Sequence, residues 1–246
     1  MTYSFCITCK NRLHHFKETY FKNLDILNKW KLNYEIVLLD YSSTDGLDTW
    51  VFDNCKINDN FSYFYSKNKI YYKEAHSKNV CHKLSRNEIV VNLDVDNIIN
   101  DYFLENLINL RENEILMTKL RTNGSCGRIT LHRNNFIALG GYDENRSNLV
   151  TRCYIDSDLK LRSLKYGLKC RLLDHNKLEF IDHSNYERSV NYEAQLTSYE
   201  DSDIKDVCGA KKTYQDIKDK KYIANLGKLW GNDFIIKNFV ECLTIY

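Results

Sequence analysis

Apolar and polar positions are segregated into blocks along the first half of the chain. Short, nearly continuous apolar runs occupy Tyr3–Thr8, Tyr34–Asp40, Phe61–Tyr65 and Glu88–Leu93. Between them, Arg12–Lys29, Leu47–Asn54 and Lys73–Leu84 carry apolar residues at helical spacing. Short apolar runs bounded by polar turns read as buried strands, and the intervening stretches as amphipathic helices. Strands spaced by helices predict βαβ units and a parallel sheet, so the fold class is α/β. In such sheets ligands sit beyond the carboxyl ends of the strands. The segments to search for chemistry are therefore Cys9-Lys10-Asn11-Arg12, Asp40-Tyr41-Ser42-Ser43-Thr44-Asp45-Gly46 and Asp94-Val95-Asp96-Asn97.

The second half is less regular. Asp101–Leu110 reads as a helix, and Ile115–Thr118 and Cys126–Leu131 read as strands, the latter followed by a short helix that ends at Gly140-Gly141. Tyr154–Tyr166 places Leu159, Leu161 and Leu164 at helical spacing, with Gly167 as its C-cap. Leu178–Ile181 reads as a late strand. From about Val190 the chain is polar and helical in character, and the amphipathic Asp233–Leu243 is expected to be a packing helix. No internal repeat or interdomain linker is visible. The expected organisation is a domain over 1–190, split near residue 100 into a nucleotide-binding half and an acceptor half, with a helical extension over 191–246.

The 246 residues suffice for one large α/β domain, with or without an appendage. A 43% hydrophobic and 13% aromatic content supports a real core. Net charge is only +2, with no basic block, which argues against a nucleic-acid partner. No run reaches the roughly 18 apolar residues of a membrane span, and Met1–Lys10 lacks a charged leader, so a cytoplasmic chain with reduced thiols is expected. The chain has no proline and uses Asn, Lys, Tyr and Ile heavily, as in AT-rich genomes; a viral origin would make that the host cytoplasm.

Asp94-Val95-Asp96 offers two carboxylates after a buried run, a pattern able to hold a hard divalent cation and, through it, a diphosphate. The triplet alone says little, since the chain's 20 aspartates also form D-x-D at 156 and 201. Its position directly after Ile89-Val90-Val91-Asn92-Leu93 distinguishes it.

Longer motifs add to this. Phe5–Arg12 resembles the opening strand of family 2-type glycosyltransferases of the GT-A fold, with its "TYNR"-like end. Glu35–Gly46 resembles their "EIIVVDDGSTDGT" segment, and Ala75–Asn79 followed by Glu88–Asp96 resembles "GxAxARN…GEYILFLDADD". Leu139–Glu144 is similar to the "NGFDE" turn of β-1,4-galactosyltransferase-like enzymes, Asp156–Arg162 to "EDxDLxLR", and Phe180–Ser184 to the segment that supplies a metal-binding histidine. The resemblance covers about 1–185. It implies a metal-dependent, inverting transfer of a sugar from a nucleotide diphosphate, UDP first among candidates, to an acceptor hydroxyl on a carbohydrate or glycosylated molecule.

The resemblance also implies roles. Asp40 would contact the base, although an aspartate there also suits a turn or helix cap. Thr8, Asn11, Arg12, Ser42, Asp45 and Asn79 would line the donor site. Lys78 would face the diphosphate, or be an exposed helix lysine. Asp94 would touch ribose or metal, and Asp96 and His183 would complete the ligands of Mn²⁺ or Mg²⁺, with His175 and His132 as weaker rivals. Asp156 would be the general base, or an N-cap of the following helix; Asp158 would bind the acceptor or orient the loop. The sequence departs from the pattern in two places: Ile155 replaces the glutamate before the catalytic aspartate, and Leu149-Val150-Thr151-Arg152 replaces a tryptophan-containing stretch. A non-catalytic protein that keeps the fold is the alternative these allow. A nucleotidyltransferase would want a glycine-rich phosphate loop, and Cys9–Arg12 has no glycine.

Three minor patterns remain. Cys6-x-x-Cys9 has metal spacing, but strand alternation would turn its thiols to opposite faces. Asn123-Gly124-Ser125 matches a glycosylation acceptor on paper. The C-terminal region is open to three uses: completing the acceptor site, forming a homodimer, or touching a membrane.

Overall fold

In the computed structural model, residues 1–118, 127–146, 154–184, 186–187, 190–192 and 210–246 are described. The Asn123-Gly124-Ser125 pattern, the Leu149–Arg152 stretch and the D-x-D at 201 lie outside them. The order begins β1 (Tyr3–Cys9), α1 (Leu13–Lys29), β2 (Tyr34–Asp40), α2 (Leu47–Asn54), β3 (Phe61–Ser66), α3 (Glu74–Leu84) and β4 (Ile89–Asn92). It continues with β5 (Asn97–Ile98), α4 (Asp101–Ile108), β6 (Glu114–Thr118), β7 (Ile129–His132), α5 (Arg133–Ala138), α6 (Ile155–Tyr166), β8 (Lys169–Leu173) and β9 (Glu179–Phe180). A helix α7 over 210–218 precedes β10 (Asp233–Lys237) and β11 (Glu241–Ile245).

Nine of these strands form one sheet in the order β11-β10-β3-β2-β1-β4-β7-β6-β8. β3, β2, β1 and β4 run parallel, while β7 and β10 run antiparallel to their neighbours in this core. The chain moves outward from β1 to β3 and returns to β4 on the other side of β1. The crevice between the carboxyl ends of β1 and β4 is thus a topological switch point, where α/β sheets take ligands.

β1 shows why the run is continuous rather than alternating. Phe5 and Ile7 pack into one cluster with α1 residues Phe16, Tyr20 and Leu27, while Cys6 packs on the opposite face with Val80 and Cys81 of α3. Both faces are covered, so every position is buried. Cys9 joins the α1 side, which places the two thiols of the Cys6-x-x-Cys9 pattern on opposite faces. In α1 the buried positions His15, Phe16, Thr19, Tyr20, Asn23 and Leu27 follow the helical period. Each fully buried aromatic or aliphatic side chain contributes about 1.5–3 kcal/mol of transfer free energy.

Two features differ from the sequence expectation. Glu179–Phe180 is a strand, but it pairs with β5 in a separate two-stranded ribbon rather than with the main sheet. Asp233–Leu243, expected as a packing helix, is the β10–β11 hairpin that extends the main sheet beyond β3. Asn238 and Phe239 reverse the chain at positive φ (49° and 69°), and Asn238 continues the β3 ladder through its backbone N–H to Tyr63 O. Among the described residues beyond 190, α7 fits the expected helical extension, whereas the hairpin is part of the main sheet.

Candidate active site

The turn after β4 presents Asp94 and Asp96 at the switch point. Asn92 Nδ2 donates to Asp94 Oδ1 (3.1 Å) and Gly127 O (2.6 Å), which ties the turn to the segment before β7. A Cβ on Gly127 would lie 2.0 Å from Asp94 Oδ2, so only glycine lets the backbone approach this carboxylate. Asp96 receives Asn97 Nδ2 on Oδ1 (2.6 Å) and faces His183 Nε2 with Oδ2 (2.8 Å). Arg12 Nη1 stands 3.8 Å from the same Oδ2. The β5–β9 ribbon makes the His183 contact: Ile181 N–H donates to Asp96 O, carrying the chain back over the aspartate. Buried Arg128 donates to Ile98 O (3.0 Å) and Glu179 O, pinning both strands of the ribbon.

A second cluster lies on α3. Lys78 is almost fully buried, and its Nζ is 2.9 Å from Glu74, 3.4 Å from Asp156 and 3.5 Å from Asp94. Asp156 lies in the first turn of α6, where the helix N-terminus favours negative charge. Burial nevertheless pushes its carboxyl up to about 7; Lys78 opposes that rise, and Glu74 and Asp94 reinforce it. Asp156 makes no side-chain cap; the N-cap is Tyr154, in the left-handed region at φ 53°. Ile155, the departure from the family pattern, is 2% exposed and packs in the core with Leu159 and Tyr142, so it holds α6 against the sheet.

The loops after β1 and β2 are knitted together. Buried Lys10 donates its Nζ to Tyr41 O (3.1 Å), Ser42 O (2.9 Å) and Lys69 O (2.7 Å). Asn11 Oδ1 accepts from Thr44 N (2.7 Å), and its Nδ2 donates to Asn191 Oδ1 (2.8 Å). Thr8 Oγ1 meets Tyr72 OH at 2.6 Å. Arg12, Asp96 and His183 thus form one group and Asp94, Lys78 and Asp156 another, both reached from the turn after β4, while Thr8 and Asn11 belong to the loop that follows β1.

Other expected site residues are used by the fold. Asp40 is fully buried: Oδ1 accepts from Ser43 N (2.7 Å) and Oδ2 from Tyr63 OH (2.8 Å), so both oxygens are engaged in shaping the turn. Asp45 Oδ2 accepts from Leu13 N (2.7 Å), capping α1 from the neighbouring loop, where Arg12 supplies no cap. Ser42 Oγ donates to Ser66 O (2.5 Å) and accepts from Lys69 N (2.9 Å). Buried Asn79 is spent on Tyr142 N and O and on Glu144 Oε1. Asp158 is 1% exposed and accepts from Arg146 Nη2 (2.6 Å), Arg162 Nε (2.7 Å) and α7 Thr213 Oγ1 (3.0 Å). It joins α6 to α7, with both carboxylate oxygens engaged by these donors. Lys78, expected to face the diphosphate or solvent, is enclosed by three carboxylates instead.

Glu74 and Lys10 are site residues that the motifs missed. Glu74 was legible as the i,i+4 partner of Lys78, whereas nothing in the sequence marks Lys10 as a lysine buried under three carbonyls.

Among the described residues, no group of three His, Cys, Asp or Glu side chains is arranged to hold a metal ion. The three-ligand expectation therefore reduces to the pair Asp96 and His183, with Asp94 turned toward Lys78. That pair still fits a divalent cation. Both His183 nitrogens face oxygens, Nε2 that of Asp96 at 2.8 Å and Nδ1 that of Ser184 at 3.2 Å. A neutral imidazole carries one proton; placed on Nδ1, it leaves the Nε2 lone pair facing a carboxylate, an arrangement that a cation between them resolves. Glu74, Asp94, Asp96 and Asp156 also outnumber Lys78 and Arg12, so the crevice carries excess negative charge. A divalent cation bound there would offset that charge for a diphosphate.

A parallel switch-point sheet, an acidic turn after β4 and a carboxylate at the start of α6 define a glycosyltransferase of the GT-A type. The chain belongs to glycosyl transferase family 2, whose model matches residues 4–161. No curated protein sequence matches it. It is similar in fold to the mannosyltransferase PcManGT from Pyrobaculum calidifontis in complex with GDP-Man and Mn²⁺, at 15% identity and TM-score 0.57, covering 77% of this chain and 61% of that one. It is also similar to Drosophila β1,4-galactosyltransferase 7 with manganese, UDP-Gal and xylobiose, at 12% identity and TM-score 0.57, with coverage of 82% and 78%. Glucosyl-3-phosphoglycerate synthase from Mycobacterium tuberculosis with Mn²⁺, UDP and phosphoglyceric acid matches at 11% identity and TM-score 0.55, with coverage of 76% and 73%. No helix among the described residues is long and apolar enough to cross a membrane.

Proposed function

We propose that the chain transfers a sugar from a nucleotide diphosphate, UDP-sugar first among donors, to an acceptor hydroxyl with inversion, using Asp156 as general base. The observation that carries this reading is the convergence of Asp156, Asp94 and Glu74 on the buried Lys78 ammonium. The arrangement gives a carboxylate whose proton affinity matches neutral pH, as base catalysis requires. Asp156 accepts the acceptor's hydroxyl proton as the new bond forms at the anomeric carbon and the bond to the diphosphate breaks. Asp96 and His183 would hold Mn²⁺ or Mg²⁺, which when bound offsets the charge of the departing diphosphate. Arg12 adds fixed positive charge at the same edge. The structures that bind Mn²⁺ with UDP or a GDP-sugar support this assignment of metal and donor class.

The test is a thermal-shift panel of UDP, GDP, CDP and TDP with and without Mn²⁺, followed by donor hydrolysis and transfer with the Asp156→Asn variant. Metal-dependent stabilisation by one nucleotide, together with a variant that binds the donor but does not transfer, is the expected result. No stabilisation by any nucleotide at millimolar concentration would overturn the donor assignment, and unchanged transfer would remove Asp156 as base.

A further inference from the structure

The segment between α7 and β10 holds its most hydrophobic side chains out in solvent. Leu226 is 77% exposed, Leu229 75% and Ile223 41%. The backbone beneath them is anchored. Ala224 N–H donates to Leu139 O (2.9 Å), and Asn225 Nδ2 donates to Gly140 O (2.7 Å) and Tyr142 O (2.8 Å). Asn225 Oδ1 accepts from Glu144 N (3.1 Å). The approach is so close that a Cβ on Gly140 would lie 2.0 Å from Ala224 O. Beyond these anchors, Lys228 N–H closes a turn on Asn225 O (3.0 Å), with Gly227 at φ 71°. At the far side, Trp230 packs against Phe136. With both ends held, the turn presents Leu226 and Leu229 to solvent. Exposed leucines on a braced turn cost solvation free energy unless something covers them.

The charge around them selects the cover. Residues 210–230 contain six lysines and two aspartates, a net +4 in a chain whose total is +2. Lys218, Lys220, Lys221 and Lys228 are exposed. A polyanion such as nucleic acid would use the lysines and leave the leucines in water. A bilayer with anionic headgroups uses both, taking apolar tips to the acyl boundary while lysines meet the headgroups.

We propose that the turn carrying Ile223, Leu226 and Leu229, with its flanking lysines, is an interfacial surface that seats this protein on anionic lipid bilayers. The inference does not depend on the catalytic assignment. Because the turn is braced against Leu139–Glu144, whose Tyr142 ring lies 5.5 Å from Lys78 Nζ, the membrane would flank the acceptor half of the crevice.

The test is co-sedimentation of the full chain with phosphatidylcholine vesicles, with and without about one-third phosphatidylserine, at low and high salt. The expected result is binding to the anionic vesicles only, weakened by salt. The Leu226→Asp/Leu229→Asp variant and the Lys220→Glu/Lys221→Glu variant should each lower the bound fraction by at least about fivefold, with melting temperature unchanged. A milder Leu226→Ser/Leu229→Ser variant guards against misfolding. Equal recovery of the wild type with neutral and anionic vesicles would overturn the proposal, as would variants that bind like the wild type. A wild-type dimer in sedimentation velocity that the leucine variants convert to monomer would assign the face to a second copy instead.

Discussion

His183 Nε2 and Asp96 Oδ2 stand 2.8 Å apart across 87 positions of sequence, joined because the β5–β9 ribbon folds the chain back over the turn after β4. If this pair holds the cation that a diphosphate needs, either partner's loss should weaken nucleotide binding only when metal is present. His183→Ala and Asp96→Ala are each expected to abolish the Mn²⁺-dependent part of the UDP thermal shift. Every tenfold loss of affinity removes about 1.4 kcal/mol of that linkage. A full metal-dependent shift in either variant would remove that residue from the ligand set.

Asp156 titrates near 7 because burial disfavours its charge. As a base it must be ionised, so the transfer rate should rise with pH through about 7 in the wild type. The same shift affects stability. A carboxyl whose folded pKa lies above its unfolded value near 3.9 favours the folded state at low pH and loses that advantage as pH rises between the two values. The melting temperature of Asp156→Asn should therefore fall less than that of the wild type between pH 5 and pH 8. Parallel curves would mean that the shift is absent.

Asp158 joins Arg146 and Arg162 in a site that water does not reach. Asp158→Ala would remove the carboxylate that the two guanidinium groups share, leaving Arg146 with Asp143 and Asp216 and Arg162 with the carbonyls of Leu139 and Gly141, and should lower stability by about 3 kcal/mol in urea unfolding. UDP binding by the fraction that remains folded should persist, since the described contacts of Asp158 run to Arg146, Arg162 and Thr213 and to none of Asp94, Asp96 or His183. A stable Asp158→Ala variant that fails in transfer would return this residue to the acceptor site.

Gly127 lets the segment before β7 lie against Asp94. A methyl group there would meet the carboxylate at 2.0 Å, so Gly127→Ala should displace Asp94 and its contact with Lys78. Donor-dependent stabilisation should fall by tenfold or more in affinity, on the order of 1.4 kcal/mol, while the apo melting temperature changes little. Titrating the donor into the variant by calorimetry checks this; wild-type affinity would show that the Asp94 position is immaterial.

Asp45 provides a contrasting case. Its carboxylate caps α1 through Leu13 N, so Asp45→Ala should cost about 1 kcal/mol of stability without altering nucleotide affinity. Weakened binding at unchanged stability would restore it to the donor site.

The sequence by itself determined the βαβ core, because continuous apolar runs between amphipathic stretches admit little else. It also pointed to the loops proposed to carry the chemistry, because β1 and β4 end in polar turns at the sheet's carboxyl edge. It marked Asp94, Asp96, Asp156 and His183 by motif. Only the tertiary structure decided which polar residues of those motifs face the crevice. Asp40, Asn79 and Asp158 have the residue types of a site, yet each is sealed by partners up to 65 positions away. A motif records residue type and spacing, whereas a carboxylate's role depends on which donors reach it first. The C-terminal hairpin was hidden for a related reason. Phe234-Ile235-Ile236 is short enough to suit helix or strand, and the open edge of β3 settles the choice by offering backbone partners that no local pattern records.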